Sequence, residues 1–413
     1  MNSRRQAPAI VMSCLGGHQG DLSVVRTLGR SGVSVTVLSE YRDNPLRHSR
    51  YTTEFIHAPW MTRDGNRLVG TLKDAAETST CPPVVFPTAD PDLRILNAIR
   101  AEIEPTCRPV LADESLVSAC VDKGTFHELA TELGLPVPQT RVPQADEGLT
   151  QLANSLPYPL IVKPLSPQDW SQPRIASLVG GKKALVARSS TDLLRTADLL
   201  GDGFFRTALQ EYIPGRDDRL FSVHAYVARD GTPLGVFTGQ KIRTYPTYAG
   251  IGCFVRSPWV PDLADRAFRI LKTMDYRGPA LLQFKQHEET QEFILLEINP
   301  RVSSWNLLAT RSGVNIPILA YDDLASGNRT KSRRQREDLQ YLYFWNDVKA
   351  FLDYRRHGDW SIYSWLRSLV GPNVLQVWSA ADPAPLLLGY WLAGAKDLVR
   401  RILRKVRRTL FGE

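Results

Sequence analysis

The sequence predicts an α/β protein in three parts: an N-terminal open parallel α/β domain, a middle α+β domain and a helical C-terminal extension. Three observations carry this prediction. A buried strand, a Gly-rich loop and a helix follow one another near the N-terminus. A later hairpin holds oxygen-bearing side chains in apolar strands, and the last part of the chain is aromatic and basic. The expected domains are 1–112, 113–327 and 328–413.

Composition bounds the class of protein. The chain has 43% hydrophobic and 23% charged residues, which is typical of a soluble globular protein. Its five cysteines show no paired metal-ligand spacing, so we expect reduced thiols in a cytoplasmic protein. The apolar run from Ala9 to Leu15 is short and continues into a strand–loop–helix pattern, which argues against a signal peptide.

The positive charge is concentrated in two short segments. The net charge is +8, of which residues 329–337 supply +4 and residues 396–411 supply +6, so the rest of the chain is close to −2. A protein that binds nucleic acid over its body is expected to be basic over that body. We therefore expect no nucleic-acid partner.

The first element is a βαβ unit with a Gly-rich turn. Residues 7–12 and 33–39 have the pattern of buried strands, and residues 21–31 have that of a helix. Glycines at 16, 17 and 20 lie in the loop, but their spacing is not a dinucleotide fingerprint. Packing glycines or a substrate loop are therefore favoured over a nucleotide site. Further along, Asp90 directly precedes a predicted helix over 91–103, and we interpret it as the cap of that helix.

The stretch from Leu281 to Arg301 predicts a β-hairpin with a polar turn. Gln283, Glu297 and Asn299 bring oxygen donors into its apolar strands, and the last two share a face because they are two residues apart. Such donors suit Mg²⁺, as one or two ions, and also Mn²⁺. Arg301 adds a cation near a bound phosphate. For the hairpin alone, a solvated sheet face with a chance acid is the alternative.

Further cations occupy the starts and ends of predicted elements. Lys123 begins a helix after Asp122, and Lys163 ends an apolar strand. Lys241 and Arg243 are two residues apart in a predicted strand, so we expect them to share one face.

These elements, in this order, resemble the ATP-grasp superfamily, and most of all its stand-alone bacterial carboxylate–amine ligases such as the D-aspartate ligases. The resemblance covers about residues 1–327, with 1–112 as the domain that precedes the ATP-grasp domain itself. It implies that the ATP-grasp domain, 113–327, is a two-lobed α+β domain with a small lobe of about 125–208 and a large lobe of about 209–327. It implies ATP and Mg²⁺ as cofactors. The nucleotide-binding residues that it implies are Lys123, Lys163, Asp218 in preference to Asp217, and an adenine hinge of Glu211, Tyr212 and Ile213.

The resemblance also implies the reaction and the remaining roles. Gln283, Glu297 and Asn299 would hold the metal, while Lys241, Arg243 and Arg301 would act on the transferred phosphate and the substrate carboxylate. The expected activity joins a small carboxylic acid to an amine through an acyl phosphate, with release of ADP. A catalytically weak regulatory or scaffold protein that binds ATP is the alternative.

Two departures from the superfamily pattern concern the metal and the lid. Gln283 stands where an acid is more usual, and the expected phosphate lid over 166–183 is poor in glycine. His224 has no assigned role, and we expect it to be satisfied by neighbours or to face solvent.

The basic C-terminal tail allows two interpretations. Leu398, Ile402 and Val406 recur every four residues, and basic residues fill the other face of the resulting helix. Such a helix docks its apolar stripe on the protein body, or it binds peripherally to an anionic membrane, which here would be the inner face. The sequence leaves the oligomeric state open.

Overall fold

A computed structural model describes residues 7–16, 19–170, 173–180, 182–248, 250–327, 329 and 331–391 of the chain. Within these ranges, no helix combines the length and the apolar character that crossing a bilayer requires. The five cysteines are all free.

The N-terminal domain is a parallel sheet with helices, as predicted. Its elements are β1 (Ala9–Ser13), α1 (Gln19–Arg30), β2 (Val35–Ser39), β3 (Glu54–His57), α2 (Gly65–Glu77), β4 (Val84–Phe86), α3 (Asp90–Ala98), α4 (Arg100–Ile103) and β5 (Arg108–Pro109). The strand order is β3-β2-β1-β4-β5, and every neighbouring pair is parallel. Every residue of β1 and of β4 is buried, as is typical of parallel strands covered on both faces.

The next part of the chain forms two connecting helices and the small lobe. Its elements are α5 (Glu114–Val121), α6 (Lys123–Glu132), β6 (Thr140–Arg141), α7 (Leu149–Ser155), β7 (Leu160–Pro164), α8 (Pro173–Leu178), β8 (Leu185–Ala187), α9 (Ser190–Leu200) and β9 (Thr207–Glu211). Asp122 caps α6 by accepting hydrogen bonds from the backbone N–H groups of Gly124 and Thr125. The small-lobe sheet has the order β6-β9-β7-β8 and is antiparallel.

The large lobe is built on a second sheet. Its elements are β10 (Leu220–Val227), β11 (Pro233–Tyr245), β12 (Ile251–Arg256), α10 (Pro261–Thr273), β13 (Gly278–Gln286), β14 (Phe293–Asn299), α11 (Asn306–Arg311) and α12 (Ile316–Ser326). The strands β10 to β14 pair in antiparallel fashion. The predicted hairpin is confirmed as β13 and β14, which pair directly.

The C-terminal extension is helical only in part. It contains β15 (Gln340–Leu342), α13 (Phe344–Arg356), α14 (Ile362–Ser368) and β16 (Asn373–Leu375). β15 pairs with β12 and β16 pairs with β15, so the large sheet has the order β14-β13-β10-β11-β12-β15-β16. The extension therefore has the predicted helices, α13 and α14, and two short strands that were not predicted. Without β15, the strand β12 would be an edge with unpaired backbone groups, and the extension satisfies those groups.

The extension also contacts the N-terminal domain. Arg26 of α1 pairs with Asp382 at 2.9 Å, and both side chains are almost fully buried. Ser49 donates a further hydrogen bond to the same carboxylate at 2.8 Å. The tail residues 396–411, with the predicted amphipathic helix, lie outside the described residues.

Candidate functional site

The hairpin brings the three predicted metal ligands together. Gln283 and Glu297 are direct partners across β13 and β14, and Asn299 is two residues further along β14. The Gln283 amide donates to Glu297 Oε1, and Asn299 Nδ2 donates to the same oxygen at 3.2 Å. One carboxylate and two amide oxygens on one sheet face form a donor set that fits Mg²⁺ shared with phosphate oxygens and water. The proximity predicted for these side chains is confirmed.

Glu297 lies in a strongly positive environment. Burial by itself would raise the pKa of its carboxyl, but Lys123, Lys163, Lys241 and a hydrogen bond from Asn299 outweigh that effect and lower the pKa below its ordinary value. Glu297 is therefore a carboxylate at neutral pH, as metal coordination requires.

Two of these lysines, Lys163 and Lys241, have lowered pKa values. Lys241 Nζ donates to Gln283 Oε1 at 2.6 Å, and Lys163 Nζ donates to Gln210 Oε1 at 2.8 Å. Burial is the main cause that lowers the pKa of each to about 8. For Lys163, repulsion from Lys123 adds to the effect. Both of these bonds go to neutral amides, so the two ammonium groups are placed to receive an anion.

Sequence reasoning missed Lys183, which joins the same group from the small-lobe loop. Burial lowers the pKa of its ammonium, Glu297 raises it, and Arg301 and Lys123 lower it further, which places Lys183 in the field of all three. The available signal was its position two residues after Gly181 in the expected lid. We name the Glu297 cluster as Lys123, Lys163, Lys183, Lys241 and Arg301 around Glu297.

Arg301 connects this cluster to the N-terminal domain. Its Nε donates to Asp90 Oδ1 at 2.6 Å, while Nη2 is only 3.5 Å from Asn299 Oδ1. The interpretation of Asp90 as a helix cap is wrong. Asp92 accepts the backbone N–H groups of Thr88 and Ala89 at the start of α3, which leaves Asp90 free to pair across the domain boundary. No local pattern could have shown a contact with a partner 211 residues away.

Arg243 does not lie with Lys241, and the prediction that the two share a face is wrong. The pairing of β11 with β12 shifts register between these residues, and such a bulge re-aims the side chains that follow it. The Arg243 guanidinium donates to both oxygens of Asp347, at 2.6 and 3.1 Å. It also stacks 4.3 Å from the ring of Phe254 and 4.5 Å from that of Trp360. Arg243 and Asp347 are completely buried, so this cation belongs to the packing of the extension.

The predicted adenine hinge follows β9. The backbone N–H of Glu211 donates to the Gln139 carbonyl at 2.8 Å, so the strand end is fixed. Among the described residues, the backbone N–H groups of Tyr212 and Ile213 find no acceptor, which leaves them able to meet a base edge. Lys285 Nζ lies 5.2 Å from the centre of the Tyr212 ring.

The two aspartates after the hinge differ in environment. Asp217 is buried, and its carboxylate is occupied by protein donors, including Thr244 Oγ1 at 2.6 Å. Asp218 is exposed, and its backbone carbonyl is held by Gln240 Nε2 at 2.7 Å. The predicted preference for Asp218 as the ribose ligand is compatible with this arrangement.

His224 lies on the same sheet face as Gln283, because it is two residues from Ser222, the direct partner of Gln283. Contrary to expectation, it is neither satisfied by described neighbours nor exposed to solvent. It is 2% exposed, its ring is 4.3 Å from that of Trp305, and no described residue bonds either of its nitrogens. Burial, followed by repulsion from Lys241, lowers its pKa to about 3, so the imidazole is neutral. The Ser222 hydroxyl, which is also buried and unbonded among the described residues, lies opposite Gln283.

The Gly-rich loop of the N-terminal domain approaches this region. A side chain at Gly20 would come within 3.2 Å of the backbone of Ser303 and Ser304, so glycine permits the close approach. Asp21 begins the buried part of α1, where burial raises its pKa to about 7. Ser13 donates a hydrogen bond to its carboxyl group.

Sequence comparisons find similar proteins over parts of the chain. Residues 259–345 match the family model described as "ATP-grasp in the biosynthetic pathway with Ter operon". The D-aspartate ligase of Enterococcus faecium strain Aus0004 is 24% identical over 259 residues, which cover 60% of this chain and 60% of that protein. The N-terminal section of the carbamoyl phosphate synthase large chain of Methanopyrus kandleri is 25% identical over 214 residues, or 48% of this chain and 34% of that one. The chain therefore spans less than two thirds of these relatives.

Structural comparisons extend over most of the chain. N5-carboxyaminoimidazole ribonucleotide synthetase from Thermus thermophilus has a TM-score of 0.57 at 16% identity, and the match covers 79% of this chain and 81% of that one. The biotin carboxylase domain of the 2-oxoglutarate carboxylase of Hydrogenobacter thermophilus, solved with MgADP, ADP and bicarbonate, has a TM-score of 0.60 at 14% identity. That match covers 81% of this chain and 74% of the other. The fold predicted from the resemblance to the ATP-grasp superfamily is confirmed.

Proposed function

We propose that this chain, which has the ATP-grasp fold, is an ATP-dependent carboxylate–amine ligase. It activates a small carboxylic acid as an acyl phosphate, joins it to an amine, and releases ADP and phosphate. The observation that carries the proposal is the charge of the Glu297 cluster, in which several cations surround one carboxylate beside the donors Gln283 and Asn299. Such an arrangement is costly unless an anion or a metal–phosphate complex completes it.

Most of the site residues bind the nucleotide or the metal, and the others stabilise charge during the reaction. The hinge of Glu211, Tyr212 and Ile213 holds the base through backbone groups, and Asp218 holds the ribose. Lys123, Lys163 and Lys183 hold the nucleotide phosphates. Gln283, Glu297 and Asn299 hold Mg²⁺, which offsets phosphate charge when it is bound.

Lys241 and Arg301 act where the phosphoryl group is transferred. A carboxylate oxygen of the acid bonds to the γ-phosphorus as the bond to the β–γ bridging oxygen breaks, which gives ADP. The amine then bonds to the acyl carbon, phosphate leaves with the bonding electrons, and the nitrogen loses a proton. Both steps require charge neutralisation more than proton transfer, which agrees with a site rich in cations. Asp90 holds the Arg301 Nε at 2.6 Å, which keeps the guanidinium beside Asn299, one of the proposed metal ligands.

The nature of the products tests this proposal. With pools of carboxylic acids and amines, and with hydroxylamine as a trapping amine, the protein should form ADP, inorganic phosphate and a hydroxamate. AMP with pyrophosphate as the stoichiometric products would contradict the mechanism. MgATP binding without turnover on any pool would support the regulatory alternative instead.

We further propose that the protein is cytoplasmic and that its basic tail contacts an anionic membrane surface peripherally. The support is the sequence of residues 396–411, where seven basic residues alternate with apolar ones. Co-sedimentation with anionic vesicles should be stronger for the full chain than for a chain truncated after residue 394, and salt should weaken it. Equal and salt-insensitive binding of both chains would refute the contact.

A further inference from the structure

The buried carboxylate of Asp217 connects the C-terminal extension to the loop after the hinge, residues 214–219, which we call the hinge loop. Its Oδ2 accepts hydrogen bonds from Thr244 Oγ1 at 2.6 Å, from the backbone N–H of Tyr248 at 2.8 Å, and from the hydroxyl of Tyr354. Tyr354 lies on α13 and is 3% exposed, while Asp217 is 7% exposed. A single carboxylate oxygen therefore joins the hinge loop, the end of β11, the following turn and the extension.

A second set of contacts ties the same segments together at the surface. Asp359, just beyond α13, accepts a hydrogen bond from the Tyr248 hydroxyl at 2.7 Å and pairs with Arg216 at 3.0 Å. Thr247 in the turn donates to Asp353 of α13. The extension thus holds the hinge loop through Arg216 as well as through Asp217.

The loop held in this way borders the nucleotide site proposed above. Asp218 follows Asp217 directly, and its carbonyl is bonded by Gln240, the neighbour of Lys241 on β11. Burial lowers the pKa of Lys285 while Asp217 raises it, so that lysine lies in the field of Asp217 as well as near Tyr212. A shift of the loop would therefore move the proposed ribose ligand relative to the hinge.

We propose that Tyr354 of the C-terminal extension is a positioning residue for the nucleotide site, acting through Asp217 on Asp218 and the hinge loop. Removal of the Tyr354 hydroxyl takes one of three donors from a buried carboxylate, and such a group recovers its hydrogen bonds only if the loop shifts or water enters. The extension then contributes to nucleotide affinity without touching the nucleotide. This inference rests on the proposed function, because it requires a nucleotide bound at the hinge.

The test compares two Tyr→Phe variants of the full chain. Calorimetric titration with MgADP measures nucleotide affinity without turnover, and ATP kinetics give KM and kcat separately. For Tyr354→Phe we expect the Kd for MgADP and the KM for ATP to rise about 10-fold, with kcat within about 2-fold of the parent. The matched control is Tyr363→Phe on α14, where the side chain is 72% exposed, and it should leave all three constants unchanged.

A second variant keeps the inference falsifiable if Tyr354→Phe does not fold. Asp359→Asn, at the surface end of the same connection, should raise the Kd for MgADP by about 3-fold because the charge of the ion pair with Arg216 is lost. Unchanged MgADP affinity in folded Tyr354→Phe, with only a lower Tm, would reduce Tyr354 to a structural role and overturn the inference. If the parent protein binds no MgADP, the proposed function fails and this inference fails with it.

Discussion

Lys241 and Arg243 lie two positions apart on β11, yet their buried environments differ. Lys241 lies in a cluster with an excess of positive charge, and Arg243 lies in a cluster whose charges are paired. Lys241 belongs to the Glu297 cluster and donates to Gln283. In this cluster the cations outnumber the carboxylates within reach among the described residues. Arg243 belongs to what we call the Arg243 cluster, consisting of Arg243, Asp347, Phe254, Trp360 and Ser368. In it the guanidinium meets one carboxylate and one hydroxyl and stacks between two rings.

In the Arg243 cluster the buried positive charge is matched by a carboxylate, whereas the Glu297 cluster has more cations than carboxylates. In the Arg243 cluster every donating nitrogen of the guanidinium has a partner, so the cation needs nothing from outside the chain. In the Glu297 cluster the pKa values of Lys163, Lys183 and Lys241 are lowered, mainly because burial removes these ammonium groups from water. A buried charge left incomplete by the protein points to a ligand, whereas a completed one indicates packing.

Breaking the balanced pair should have the largest effect on stability. Arg243→Met leaves the Asp347 carboxylate buried without its cation and should lower the free energy of unfolding by about 3–5 kcal/mol. Lys241→Met removes a cation that was costly to bury, so its free energy of unfolding should stay within about 1 kcal/mol of the parent or exceed it. Urea denaturation of both variants measures the contrast.

A double variant serves as the control for this prediction. Arg243→Met combined with Asp347→Leu removes both charges and should recover part of the loss, because an apolar pair can replace a buried ion pair. Equal stability of the two single variants would show that the two clusters do not differ in the way described.

The unbalanced cluster should show its role in turnover. Glu297→Gln removes one formal charge from the metal donors and keeps their shape, so ATP should still bind while ADP formation falls by at least about 100-fold. Asn299→Ala should be similarly impaired. ADP release and calorimetric binding measure the two properties, and turnover of Glu297→Gln near the parent rate would remove Glu297 from the site.

A smaller effect concerns the pH dependence of binding. Lys163 has a pKa of about 8 in the nucleotide-free protein, and a bound phosphate should raise it. The ammonium is present below pH 8 and lost above it, so the Kd for MgADP should rise about 10-fold from pH 7 to pH 9. Lys163→Arg keeps its charge over this range and should flatten the profile. A parent Kd that is constant from pH 7 to pH 9 would contradict the lowered pKa.

Much of the site was predictable because its residues are close together in the sequence. Gln283, Glu297 and Asn299 lie on one hairpin, and the alternation of a strand together with a short turn determines which side chains meet. Lys163 was predictable in the same way, because a lysine that ends an apolar strand extends from the end of the sheet.

The errors came from contacts between distant segments. The bulge in β11 depends on the pairing with β12, and the anion that holds Arg243 lies 104 residues away on α13. Asp90 looked like a helix cap because it precedes the apolar pattern of α3, but Ala89 occupies the cap position and Asp92 binds its backbone N–H.

The sequence by itself determined the parallel N-terminal domain and the β13–β14 hairpin, and its resemblance to the ATP-grasp superfamily indicated the fold of the middle of the chain. The first two depend on periodicity or on local turn chemistry that a short window of residues contains. The tertiary structure alone decided which buried cations are balanced, how Asp90 reaches Arg301, and that the extension completes the large sheet and holds Asp217. The physical reason is that the energy of a buried charge depends on the partners that folding brings to it, and those partners come from residues far away along the chain.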